Sequence, residues 1–197
     1  MKTILTTIIF LTANIASAQE IVYKVSDQMV DKLKLTEGLS LCAHHDHKGI
    51  SIGYGTQRLE NNKPVPLKVK GKPFCITKER AERLNARAVQ LKTDLVIGLA
   101  YEEQLEVNQE MLDALVSFTY NIGFNGFYKS TVLKKLKAGK CKAAAKSLLT
   151  YNKASGEVLK GLTVRRSEEA KLLKEGCAKL SETYTDMKIK PKKGKKK

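Results

Sequence analysis

Two carboxylates and a hydroxyl group lie close together in the segment 37–56. Glu37 and Asp46 could together split a glycosidic bond, which needs one carboxylic acid to protonate the leaving oxygen and one carboxylate to activate water or attack directly. Ser51 would add a neutral hydrogen-bonding group that holds the water. An acid pair at this spacing is common, and the spacing alone favours two unrelated surface carboxylates. The chemistry is therefore a candidate that needs further support.

The elements around these residues place them in different surroundings. From Ser26, apolar residues recur at helical spacing as far as Leu33, and Gly38 ends the pattern, so Glu37 is predicted at a helix terminus. Residues 42–74 are rich in glycine and proline and contain short β-branched pieces, which predicts a small β region with tight turns. Asp46 would lie in one of these turns, and such different environments could push the two pKa values apart.

A long helix is predicted after the β region. Thr77 can cap it, and an apolar stripe of Ala81, Leu84, Ala88, Leu91 and Leu95 predicts that one face of this helix is buried. Further helices are predicted at 108–123, 131–136, 142–149 and 163–173. We therefore expect an α+β protein with a small β lobe at about 42–76, a larger helical lobe at about 77–180, and a cleft between them.

The segment that begins at Glu37 resembles the motif of the phage-type lysozymes, the endolysin family. That motif reads Glu-Gly, a Leu two residues later, an Asp nine residues after the Glu, and then Thr-Ile-Gly-Tyr-Gly-His. A second stretch, Leu115-Val-Ser-Phe-Thr-Tyr-Asn-Ile-Gly123, is similar to the helix that carries Leu-Val-Ser-Phe-x-x-Asn-x-Gly in this family. Further matches follow in the same order at 130–139, 154–156 and 161–170, so the resemblance covers about 25–175.

The resemblance implies a lysozyme-like fold and the activity of a muramidase, a glycoside hydrolase that cuts the β-1,4 bond between N-acetylmuramic acid and N-acetylglucosamine in bacterial peptidoglycan. By the same resemblance, Glu37 is the general acid and Asp46 works with the attacking water in a mostly inverting reaction. Ser51 replaces the catalytic Thr of the family and keeps its hydroxyl group. Asn121 and Arg165 match polar groups that face the sugar cleft.

Two clusters of side chains allow other interpretations. The four aromatic residues at 118, 120, 124 and 127 could stack on a ligand, but their helical spacing assigns about two of them to the core, and Tyr120 is the best candidate for the cleft. His44, His45 and His47 flank Asp46, yet their spacing is not typical of zinc motifs. We interpret them as a polar loop at the edge of the cleft and expect no metal or cofactor.

The two ends of the chain differ from the rest in composition. Residues 1–18 have the charged start, apolar run and small-residue end of an export signal, which predicts cleavage after Ala18 and a periplasmic or secreted protein. The alternative is an uncleaved membrane anchor. Residues 188–197 carry seven Lys and no acid, so we expect this tail to be disordered and outside the catalytic domain at 19–187.

The chain is strongly basic, with a formal net charge of +16. Such a charge favours anionic partners. We expect a monomer that binds peptidoglycan strands and is concentrated on an anionic cell envelope by its basic surface and tail. Two other classes of function remain: a weakly active or inactive peptidoglycan-binding protein on the same fold, and a nucleic-acid binder, which would explain the charge but has no motif here.

The four cysteines allow three disulfide pairings. An even number in an exported chain is typical of disulfide bonds. We favour Cys42 with Cys75 and Cys141 with Cys177, because each bond then stays within one segment of the chain.

Overall fold

The computed structural model describes residues 23–46 and 49–186, without the side chains of 181–186. The predicted export signal, His47 and the Lys-rich tail lie outside the described residues. The elements are α1 (Asp27–Glu37), β1 (Ser40–Asp46), β2 (Gly49–Gly53), β3 (Lys68–Val69), β4 (Lys72–Pro73), α2 (Lys78–Glu102), α3 (Gln109–Ile122), α4 (Phe124–Tyr128), α5 (Thr131–Lys137), α6 (Cys141–Leu148), β5 (Lys153–Ala154), β6 (Glu157–Val158) and α7 (Lys160–Asp186). Among the described residues, no helix is both long and apolar enough to cross a membrane.

The small lobe is built around the antiparallel β1–β2 hairpin, in which His44 lies opposite Ser51. The segment before α2 pairs with the outer side of β1, where the amide of Ala43 donates to the carbonyl of Phe74 over 2.8 Å. The Cys42–Cys75 disulfide joins the same two segments covalently, as predicted. A separate apolar cluster, centred on Ile52, fills this lobe. The strand that carries Asp46 is therefore fixed to the start of α2.

Helix α2 connects the two lobes and contributes to both of their cores. Ala81 and Leu84 pack into the small-lobe cluster, whereas Val96 packs into the cluster of the helical lobe. The predicted single apolar face is wrong in its second half, because Leu91 is 47 % exposed and Leu95 is also exposed. The reason is geometric: the two cores lie on different sides of the helix axis, so the buried face changes along α2.

The helical lobe surrounds α3, whose residues 111–119 are all buried. Asn108, the first residue of the predicted range 108–123, caps this helix: its side chain accepts from the amide of Met111, and Gly123 ends the helix at a φ of 78°. Helix α7 packs along α3 and is tied to α6 by the predicted Cys141–Cys177 disulfide. The structure adds α4 and the β5–β6 hairpin, and α7 is much longer than predicted. The α+β prediction with two lobes joined by a long helix is confirmed.

Candidate active site

The carboxylate of Glu37 lies in the wall of a cleft between the two lobes. Glu37 is the last residue of α1, and Gly38 turns the chain away at a φ of 71°. The cleft has a volume of about 530 Å³. Its walls come from the turn after β2, from α2 and from the end of α3, where Tyr120 and Asn121 lie. With its side chain 19 % exposed, Glu37 is largely screened from solvent but still open to the cleft.

A tight turn brings the small lobe up against Glu37. Ile52 and Thr56 exchange two backbone hydrogen bonds of 2.9 Å, and Gly55 within this turn has a φ of +75°. A Cβ atom at Gly55 would lie 3.2 Å from Oε2 of Glu37. Only glycine adopts this backbone conformation without strain and also leaves room for the carboxylate. The turn therefore sets one side of the Glu37 environment.

The other side of Glu37 is set by Arg165, which comes from α7. Its Nη1 donates to Oε1 of Glu37 over 3.0 Å, and its Nη2 donates to the carbonyl of Ser117 over 3.0 Å. The resemblance implied that Arg165 faces the sugar cleft. The structure instead buries it at 8 % exposure, behind the carboxylate, because its charge is matched there by Glu37 and Glu169. Arg165 is placed to orient Glu37.

Asn121 is connected to the same group of charges. Its Oδ1 accepts from Nη2 of Arg166 over 2.9 Å, while the residue lines the cleft. Arg166 is completely buried, lies over the ring of Phe118, and pairs with Glu169. Burial lowers the pKa of Arg166 to about 10. The Asn121 amide is thus fixed by an ionic network beneath the cleft floor.

Asp46 and Ser51 form a pair on the β1–β2 hairpin. The Ser51 hydroxyl donates to Oδ2 of Asp46 over 2.6 Å, and Ser51 is only 1 % exposed. Asp46 is half-buried at the end of β1. The structure therefore brings together the two members of this pair, and separately brings Glu37, Tyr120 and Asn121 to the cleft walls. Among the described residues, the cleft lining includes neither Asp46 nor Ser51.

Tyr120 lies in the cleft wall with its hydroxyl already engaged. That oxygen is 3.1 Å from the carbonyl of Tyr54 and 3.3 Å from Oδ1 of Asn85. Burial, and then the charge of Glu37, raise the pKa of Tyr120, so the phenol stays neutral. Phe118 and Phe127 are core residues, in line with the predicted division of the aromatic residues.

Sequence reasoning missed the cationic residues of the cleft. Arg58, Arg87 and Lys92 all line it, together with the exposed Leu91. Arg87 donates to the carbonyl of Glu60 and to Oδ1 of Asn62. The apolar stripe of α2 could have indicated them. The stripe is longer than the small-lobe core, so its second half must face either the other core or a cleft. Arg87 and Lys92 lie next to that exposed half.

The predicted histidine loop shows no ligand cluster within the described residues. No group of three or more His, Cys, Asp and Glu side chains could hold a metal ion in that part of the chain. His44 and His45 are exposed on β1, and the Nδ1 of His44 is 3.4 Å from the carbonyl of Cys42.

Comparison with known proteins shows which protein family has this architecture. The family model described as Phage lysozyme matches residues 34–169, a stretch that runs from α1 into α7. The chain belongs to the phage lysozyme family. The matched stretch contains all six predicted site residues, namely Glu37, Asp46, Ser51, Tyr120, Asn121 and Arg165.

Two curated relatives illustrate the extent of the similarity. The endolysin of Bacillus phage B103 is 34% identical over 158 residues, which cover 79% of this chain and 56% of that protein. The endolysin of Salmonella phage P22 is 32% identical over 152 residues, covering 76% of this chain and 98% of the relative. The chain thus spans little more than half the length of the Bacillus phage protein and nearly all of the P22 protein.

Solved structures show the same lysozyme-like fold. The endolysin from Escherichia coli O157:H7 phage FAHEc1 is 33% identical with a TM-score of 0.62, over 77% of this chain and 93% of that one. The muramidase domain of SpmX from Asticaccaulis excentricus is 28% identical, also with a TM-score of 0.62, over 77% and 97% of the two chains.

Proposed function

We propose that this phage lysozyme family member is a muramidase that hydrolyses the β-1,4 bond between N-acetylmuramic acid and N-acetylglucosamine in bacterial peptidoglycan. The observation that carries the proposal is the Glu37 carboxyl group, open to an interlobe cleft of about 530 Å³ and held from behind by Arg165. A fixed acid in a cleft of this size can meet a bridging oxygen between two sugars. The catalytic domain is proposed to span residues 19–187.

In the proposed reaction, Glu37 donates a proton to the leaving oxygen. Asp46 takes a proton from a water molecule that attacks the sugar from the opposite face, which inverts the anomeric centre. Because the Ser51 hydroxyl donates its hydrogen to Asp46, its oxygen remains able to accept a hydrogen bond from that water. The 2.6 Å contact also limits the rotation of the Asp46 carboxylate.

The walls of the cleft supply the groups that a glycan strand needs. Leu91 and Ile122 offer apolar surface for the faces of sugar rings, and the Asn121 amide can bond to an acetamido or hydroxyl group. Arg58 and Arg87 make one part of the cleft cationic, which suits the carboxylates of peptidoglycan. These features support a wall polymer as the substrate.

The proposed substrate lies outside the cytoplasm, so the enzyme reaches it by export or by release from the cell. We propose that residues 1–18 direct this export and that the mature chain begins at Gln19. N-terminal sequencing of the protein recovered from the membrane and from the periplasm of an expressing bacterium tests this, and an intact Met1 on membrane-bound protein would favour the anchor instead.

Glu37→Gln tests the proposed function. The amide keeps the shape of the side chain but cannot donate the catalytic proton, so release of reducing ends from purified peptidoglycan should fall by about 10² to 10⁴-fold. Binding to sedimented peptidoglycan should be retained. Asp31→Asn is the matched control, since it removes an exposed carboxylate from the same helix.

Two results would contradict the muramidase proposal. If Glu37→Gln released reducing ends as fast as the wild type, Glu37 would not be the acid. If the wild type bound peptidoglycan but released no reducing ends, the chain would be a wall-binding protein on this fold.

A further inference from the structure

A buried carboxylate, Glu169, lies behind the arginine that holds Glu37. Its side chain is 2 % exposed, and Ser117 Oγ donates to its Oε1 over 2.6 Å. Nε of Arg165 donates to the same oxygen over 3.3 Å, and Nη1 of Arg166 forms a 3.1 Å ion pair with Oε2. Burial raises the pKa of Glu169, and the two arginines oppose this effect. A carboxylate this deep in a core is costly unless it is paired, so its presence needs a reason.

Arg165 is shared between Glu169 and Glu37. Its three nitrogens point to three different partners: Nη1 to Glu37, Nε to Glu169 and Nη2 to the Ser117 carbonyl. A guanidinium is planar and rigid, so fixing two of its nitrogens also fixes the third. Glu169 and Ser117 therefore determine the direction from which Arg165 meets Glu37.

We propose that Glu169 is a positioning residue that fixes Arg165 and offsets its positive charge, so that Glu37 can keep the proton it donates. The inference rests on the muramidase function proposed above. The network holds two arginines and two glutamates. With Glu169 ionised and Glu37 protonated, one positive charge of the two remains unmatched beside Glu37. Without Glu169, both arginines would favour the ionised form of Glu37, which cannot act as a general acid.

Other charged or titratable groups lie on the elements around Glu37. Tyr120 on α3 is neutral, as described above. The remaining groups are Asp31 and Lys34 on α1, His44, His45 and Asp46 on β1, Arg58 after β2, Arg87 and Lys92 on α2, and Glu168 on α7. A comparison between variants at position 169 leaves all of them unchanged, so their influence cancels.

Glu169→Gln is the test. The glutamine keeps the size of the side chain and one oxygen that can accept from Ser117 and Arg165, but it removes the charge. Glu168→Gln is the matched control: this neighbouring carboxylate is 44 % exposed and pairs with Lys32 outside the network. Carbon-13 NMR reports the pH at which the Glu37 carboxyl loses its proton, with Glu37→Gln used to assign the signal. The pH profile of kcat/KM on purified peptidoglycan reports the catalytic effect.

In Glu169→Gln, we expect Glu37 to lose its proton roughly one pH unit lower than in the wild type. The alkaline limb of the pH profile should move by the same amount, and kcat at neutral pH should fall about tenfold with KM unchanged. Glu168→Gln should match the wild type in both measurements. A purely structural role for Glu169 would lower stability without moving the pH profile.

The possible outcomes separate this inference from the proposed function. Identical Glu37 titrations in the wild type and Glu169→Gln would overturn the inference. A shifted titration in a protein that cleaves no peptidoglycan would support the role of Glu169 and contradict the muramidase proposal. If circular dichroism shows that Glu169→Gln is unfolded, Ser117→Ala replaces it. The Ser117 hydrogen bond lowers the pKa of Glu169, so its loss favours the uncharged form of that carboxyl group. The same shift in the Glu37 titration is then expected at smaller size, and its absence overturns the inference.

Discussion

Gly55 has a positive φ and also lies against the Glu37 carboxylate, so its conformation affects the proposed acid directly. Any other residue there would be strained by the positive φ, and its Cβ atom would lie only 3.2 Å from Oε2 of Glu37. We predict that Gly55→Ala lowers kcat by tenfold or more, because a small displacement of the proposed catalytic acid, Glu37, is costly. The strain alone should lower the free energy of unfolding by about 1–2 kcal/mol.

Gly71→Ala provides the control for this prediction. Gly71 also has a positive φ, of 79°, but a Cβ atom there would meet no atom within 4 Å. The two variants should lose similar stability in urea unfolding, whereas only Gly55→Ala should lose activity on peptidoglycan. Equal activity losses would mean that the effect comes from backbone strain and not from contact with Glu37.

Ser51 offers a second prediction at the scale of single residues. Ser51→Ala removes the donor to Asp46 and the oxygen proposed to hold water, so kcat should fall about 10 to 100-fold with little change in KM. Ser51→Thr keeps the hydroxyl and restricts its rotamer, so activity should be retained or raised. Steady-state kinetics on purified peptidoglycan measures both. Full activity in Ser51→Ala would show that the hydroxyl is dispensable.

At the scale of elements, the turn that forms the outer wall of the cleft is anchored to α2 by an ion pair. Nε and Nη2 of Arg80 donate to the two carboxylate oxygens of Glu60 over 3.0 and 2.9 Å. Hydrogen bonds from Arg80 hold the pKa of Glu60 at about 2, below the ordinary value of 4.5. Because the folded-state pKa is the lower one, the pair stabilises the fold above about pH 4.5, and this contribution is lost as the pH falls toward 2.

Glu60→Gln should therefore be less stable than the wild type at neutral pH, by less than about 1 kcal/mol because the pair is partly exposed. The difference should vanish near pH 2. Urea unfolding at several pH values measures it. Glu82→Gln is the control, because it removes an exposed carboxylate from α2, the helix that carries Arg80. A difference that stays the same from pH 7 to pH 2 would contradict this account of the turn.

The elements also show what the sequence could and could not predict. Caps such as Ser26, Thr77 and Asn108 were predictable because each acts on an amide three residues away. The partners of Arg165 were not, because Glu37 lies 128 residues away and the two meet only since α1 and α7 both pack against α3. Likewise, the buried side of α2 changes along the helix because the two cores lie on different sides of it, and no local sequence pattern predicts where the cores lie.

At the scale of the whole molecule, the positive charge should strengthen the binding of the protein to the anionic surface of bacterial cells. We predict that deleting residues 188–197 lowers activity on whole bacterial cells at low salt, because seven lysines are lost and exposed charges act over about one Debye length. Turnover of small soluble peptidoglycan fragments should not change. An equal loss of whole-cell activity at high salt would contradict the electrostatic role of the tail.

The two-lobe architecture explains why the proposed acid and the proposed water-binding pair sit on different elements. Glu37 belongs to α1 and is fixed by α7 of the helical lobe, while Asp46 and Ser51 belong to the hairpin of the small lobe. The Cys42–Cys75 disulfide fixes the hairpin strand to the segment that leads into α2 and so helps to set the position of Asp46.

Digestion of purified peptidoglycan in ¹⁸O-labelled water, followed by prompt mass spectrometry with separation of anomers, tests the central claim most directly. Hydrolysis by a muramidase predicts new reducing ends on N-acetylmuramic acid that carry one ¹⁸O atom, first released as the inverted anomer. New reducing ends on N-acetylglucosamine, or muramic acid ends without the label, would contradict the proposed reaction.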